Sequence, residues 1–136
     1  MKRIFLFTVA AFLTFNAFSQ TLPKGSLVGV HHFTVNLNGS TTLQEFLDFQ
    51  KNKWAPAAAK VYGCEIHYMK HARGENENKI GLIMIFKSEA QRNKFYDQEG
   101  KLNDAGKAAN AKLKAINDEA NKLGTTTGAY TDWIVE

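Results

Sequence analysis

Lys79-Ile80-Gly81-Leu82-Ile83-Met84-Ile85-Phe86-Lys87 reads as a β-strand that is apolar on both of its faces. Ile80, Leu82, Met84 and Phe86 point one way, and Gly81, Ile83 and Ile85 point the other. A strand of this kind must be covered on both sides. Just upstream, Cys64 to His71 (CEIHYMKH) is a second strand, and the polar Ala72 to Asn78 link between the two suits a hairpin. Before the hairpin, Ser26 to Asn38 (SLVGVHHFTVNLN) is β-branched and aromatic, ends in alternation and is broken at Asn38-Gly39-Ser40.

Helical spacing fills the gaps. Thr41 or Thr42, with Gln44 or Glu45 three residues on, forms a capping box. Leu43, Phe46, Leu47, Gln50, Trp54, Ala57, Ala58 and Val61 share one helix face. Pro56 is expected to kink or split this helix near Trp54-Ala55, and Gly63 to end it. Ser88 opens a second helical region, with Gln91 in the box position. Leu102 to Leu123 reads as one long helix with a polar outer side and Gly124 as its C-cap. Thr126 to Val135 is the last strand.

The order β-α-β-β-α-β is that of an α+β, ferredoxin-like domain. It predicts a four-stranded antiparallel sheet of order 4-1-3-2 with the helices on one face. The second apolar side of the Lys79–Lys87 strand then faces outward. Two sheets packed face to face in a homodimer would bury it.

Residues 1–19 read as a cleaved signal peptide. Lys2 and Arg3 precede Ile4 to Phe15, an uncharged apolar run too short for the roughly 20 residues of a membrane-spanning helix. Ala17 and Ser19 suit the −3 and −1 positions, so the mature chain is expected to begin at Gln20. One domain would occupy 20–136, in the periplasm or secreted, with no stable membrane insertion after cleavage. The 136 residues are 44% hydrophobic and 22% charged, which excludes a disordered chain, and a single cysteine, Cys64, excludes a disulfide scaffold. Losing the leader lowers the formal charge from +4 to +2, and no basic stripe remains, so a nucleic-acid partner is not expected.

Particular stretches resemble the dimeric α/β-barrel superfamily, which includes antibiotic-biosynthesis-monooxygenase-like and stress-responsive dimeric-barrel proteins. They are His31-His32-Phe33-Thr34-Val35, Glu45-Phe46-Leu47-Asp48-Phe49, Trp54-Ala55-Pro56 and the junction Phe86 to Tyr96. The resemblance implies a dimeric barrel. It leaves the activity open, since the superfamily includes cofactor-independent oxygenases, haem-handling enzymes, isomerases and proteins of no known activity.

Strand alternation selects the candidate site residues. Odd positions of the first strand should face the helices, which puts His32 and Asn36 on the inter-sheet side. Glu65, His67, Met69 and His71 should face the same side, with Ile83 and Ile85. On the last strand either Tyr130 with Asp132, or Trp133 with Thr131, faces inward, so Tyr130 and Trp133 are both candidates. Such a lining suits a small apolar or aromatic ligand. The alternative is a cofactor-independent monooxygenase- or isomerase-like enzyme with His32 or His67 as the base. No metal or other cofactor is expected. On one strand His67 and His71 lie about 13 Å apart, and across the sheet His32 and His67 lie about 10 Å apart. No phosphate loop, nucleophile elbow or HExxH is present.

Overall fold

A computed structural model of the chain describes residues 22–73 and 79–136. The leader, its cleavage point and the centre of the hairpin link lie outside the described residues. The strands are β1 (Leu27–Leu37), β2 (Glu65–Lys70), β3 (Lys79–Phe86) and β4 (Gly124–Ile134). They form one antiparallel sheet in the order β2-β3-β1-β4, the expected order read from the other edge. The fold is ferredoxin-like, with the helical segments on one face.

The first crossover begins as the sequence predicts. Thr42 caps α1 (Leu43–Phe49): its hydroxyl accepts from the Glu45 N–H, and the Glu45 carboxylate accepts from the Thr42 N–H at 2.7 Å. The expected break before Pro56 takes the form of a π-helical turn, Gln50–Trp54, that leads into α2 (Ala55–Tyr62). Proline supplies no N–H at this junction, and the Ala55 N–H reaches back to the Gln50 carbonyl. Gly63 ends α2 with φ of 65°, a left-handed conformation that suits glycine.

The second crossover differs from expectation. Ser88 caps a single turn, α3 (Glu89–Arg92). The region expected as one long helix is two, α4 (Asp104–Ala111) and α5 (Lys114–Leu123). The break falls at buried Leu113. It redirects the chain from packing on α2 to packing on α1, the π turn and the start of β4. Gly106 is buried in α4 because the Phe95 backbone carbonyl occupies the space a β-carbon would fill. Gly124 is not a left-handed cap. Its φ of 169° is extended, so β4 starts there, two residues earlier than read.

The core lies between sheet and helices. Leu27, Leu82, Met84 and Phe86 meet Ala58, Tyr62, Ala109 and Leu113. Toward the other end Val35 and Ile80 meet Phe46 and Leu47. Cys64 is buried here, and burial pushes its thiol up to about 12, so it stays protonated and inert near neutrality.

Candidate functional site

The sheet register fixes which face each candidate residue occupies. On the face without helices, Glu65, Ile85, Val28 and Trp133 form one row across the four strands. His67, Ile83, Val30 and Thr131 form the next, and Met69, Gly81, His32 and Ala129 the third. Asn36 pairs with Thr125 farther along. The expected facing of β1, β2 and β3 is therefore seen, but these residues do not converge. From Val28 to Asn36 the rows cover about 27 Å of strand, more than one small ligand can touch. His67 lies 3.5 Å from Glu65, and both are exposed.

Tyr130 requires a correction. It pairs with His31 on the helix-covered face, whereas Trp133 lies on the open face. A strand sends neighbouring odd and even residues to opposite sides, so the two aromatics cannot line one cavity. Tyr130 stacks on His31 with ring centroids 5.5 Å apart, and Phe33 stacks on the other side at 5.6 Å. Beside them Asp132 pairs with Arg92 at 2.9 Å. Arg92 is only 6% exposed. It also donates to the Asp97 carbonyl and lies over the Tyr96 ring. This ion pair, between a buried arginine and a partly exposed aspartate, ties β4 to α3, and sequence spacing offered no sign of it.

Burial holds the His31 imidazole below its ordinary pKa, outweighing the opposing pull of the Asp132 carboxylate. The unfolded chain therefore binds this proton more readily than the folded one. His31 costs nothing above the unfolded value of about 6.5, and stability falls as the pH drops through it. The expected result is that His31→Phe, which keeps the stacking, shows a shallower loss of stability than the parent below about pH 6.5. Urea melts at a series of pH values check this, and parallel acid limbs would contradict it.

Two spaces could accept a small molecule. One is an open hollow of about 680 Å³ on the helix-free face, lined by His32, Thr34, Met69, His71, Lys79 and Thr127 among others. Of the residues expected on that face, His32, Met69 and His71 line it, whereas Asn36, Glu65, His67, Ile83 and Ile85 do not. The other is a chamber of about 320 Å³ between the sheet and α1, the π turn and α5, lined by Phe33, Phe46, Gln50, Trp54, Tyr68 and Asn117 among others. Both volumes fall in or close to the range of small-molecule sites.

The chamber is built by the π turn, which brings Gln50 at its start and Trp54 at its end into one lining. The Tyr68 hydroxyl donates to Gln50 Oε1 at 3.0 Å, and Trp54 Nε1 donates to Asn117 Oδ1 at 2.8 Å. Asn117 in turn donates to Asn110 across the α4–α5 break. The Trp54 and Tyr68 rings meet edge to face at 6.3 Å. Burial raises the Tyr68 phenol well above its ordinary value, so it remains a proton donor. Among the described residues no buried side-chain nitrogen or oxygen lacks a hydrogen-bond partner. The sequence signal for the chamber was a polar residue, Gln50, on an otherwise apolar helix stripe. His32 and His67 lie on the opposite side of the sheet. Among the described residues no group of three His, Cys, Asp or Glu is placed to hold a metal.

No family model matches this chain, and no curated protein does. Solved structures do. A NIPSNAP-like domain protein from Burkholderia xenovorans is 11% identical, with 84% of this chain and 86% of that one covered and a TM-score of 0.53. A NIPSNAP family protein from Agrobacterium tumefaciens is 16% identical, covering 79% and 91%, with a TM-score of 0.52. SnoaB, a cofactor-independent oxygenase from Streptomyces nogalater, is 13% identical, covering 82% and 94%, with a TM-score of 0.44. At these identities the likeness is one of fold alone.

Proposed function

We propose that the protein is an exported homodimer that binds a small aromatic molecule in the helix–sheet chamber of each protomer. The π turn carries this reading. It brings Gln50 and Trp54 into one chamber of mixed aromatic and polar lining, where the Gln50 amide and Asn117 can meet a polar group of the ligand. Phe33, Phe46 and the Trp54–Tyr68 pair supply aromatic walls. The residues lining the chamber include no histidine, carboxylate or amine, so the site favours binding over proton abstraction. The dimer would form through the helix-free face, where Trp133 is 62% and Met69 40% exposed beside Val28, Val30, Ile83 and Ile85.

Fluorescence titration with 2-naphthol tests the chamber, using a Trp133→Phe background so that Trp54 is the sole indole of the mature chain. Saturable quenching is expected. It should be lost in Ala120→Leu, which fills the chamber from α5. No quenching, or quenching unchanged in Ala120→Leu, would remove the chamber as the site. N-terminal sequencing of the exported protein tests the leader, with Gln20 as the expected first residue.

A further inference from the structure

The hollow on the helix-free face has an apolar floor and a rim of donors. The floor is the row Met69, Gly81, His32, Ala129. Gly81 has no side chain, and Met69 lies across it, so that a β-carbon added at Gly81 would come within 2.7 Å of the Met69 methyl. Ala129, in the row of His32, keeps the β4 side low. The adjoining row is Lys79, Thr34, Thr127, all three lining the hollow, and His71 continues from β2 beside it.

Among the described residues the charge of this rim is one-sided. Two lysines, two histidines and two threonines line the hollow, and no described lining residue is a carboxylate. Neither Lys70 nor Lys79 forms an ion pair with a described residue. Glu65, on the same face, stands at the far end of β2 beside His67. Asp132 faces the other way, to Arg92.

From this juxtaposition we infer that the hollow is a second ligand site, for a small amphipathic monocarboxylate with an aromatic or branched body. The body lies over Met69, Gly81 and Ala129. The carboxylate takes the Lys79 ammonium and hydrogen bonds from Thr34, Thr127 or His32, which together replace its lost hydration. A bare inorganic anion would leave the floor unused. The inference does not depend on the chamber.

The test is calorimetric titration of the purified protein with 2-naphthoate and with its neutral isostere 2-naphthamide. Naphthoate is expected to bind about tenfold more tightly, and less tightly as salt is raised. Lys79→Gln should abolish most of that preference while leaving naphthamide unchanged. Gln50→Leu, which alters the chamber, should leave the preference intact. Equal binding of the two probes would overturn the proposal, as would a preference that survives Lys79→Gln. A preference lost in Gln50→Leu and kept in Lys79→Gln would put the anion in the chamber and likewise overturn it.

Discussion

Phe46→Ala is expected to lower the unfolding free energy by about 3–5 kcal/mol, the usual cost of emptying a buried phenylalanine site. Phe46 is 1% exposed and is the largest fully buried side chain. It joins α1 to the sheet through Val35 and Ile80 and packs beside Leu47. The surroundings cannot readily close over the gap. α1 is held at its start by the Thr42–Glu45 box and continues into the π turn, and Phe46 also borders the chamber. Truncation would therefore enlarge an existing space, and the cavity cost would add to the lost transfer energy. Against a typical domain stability of about 5–15 kcal/mol, much of the margin would go. Urea unfolding followed by circular dichroism checks this. A loss below about 1 kcal/mol would mean that α1 can settle onto the sheet.

Ile83→Arg is expected to convert the proposed dimer into a folded monomer. Ile83 sits near the middle of the helix-free face, with Val30 beside it on β1 and His67 on β2. If two such faces pack about a two-fold axis, each substitution enters the interface twice. Two guanidinium groups would then be desolvated close together without a counter-charge, at a cost of several kcal/mol. Each 1.4 kcal/mol is about tenfold in the dissociation constant, so a loss of about a thousandfold or more is expected. The side chain does not enter the helix-side core, so the fold should persist. Sedimentation or light scattering gives the mass, and far-ultraviolet circular dichroism reports the fold. A parent protein that is already monomeric at micromolar concentration, or a variant that stays dimeric, would reject this face as the interface.

The candidate site was less legible than the fold, for reasons that belong to particular residues. Alternation correctly assigned His32, Asn36, Glu65, His67, Ile83 and Ile85 to one face, because a strand has a strict period of two. It could not say that these residues occupy four separate rows, since position along the sheet comes from the pairing register. Tyr130 and Trp133 could not be separated, because β4 is polar and apolar on both of its sides and only its register against β1 assigns them. The chamber was visible only as an anomaly, Gln50 among apolar neighbours. Gln50 meets Tyr68, 18 positions away, and Trp54 meets Asn117, 63 positions away, a proximity that helical or strand spacing cannot express.

Taken alone, the sequence determined the kinds and order of the elements and the arrangement of the sheet. Apolar periodicity, the Thr42 box and Gly63 are local signals, and the β-α-β-β-α-β order leaves few ways to connect four strands. It also determined that β3 needs cover on both faces. Tertiary structure decided the rest. Local pattern still allowed one helix from Leu102 to Leu123, yet the packing of Leu113 divides it into α4 and α5. The Arg92–Asp132 pair, the Gln50–Trp54 chamber and the Lys79 hollow arise where distant segments meet. The physical reason is that backbone preference and period act over a few residues, whereas a cavity or an ion pair between distant elements is a property of surfaces brought together by the whole sheet.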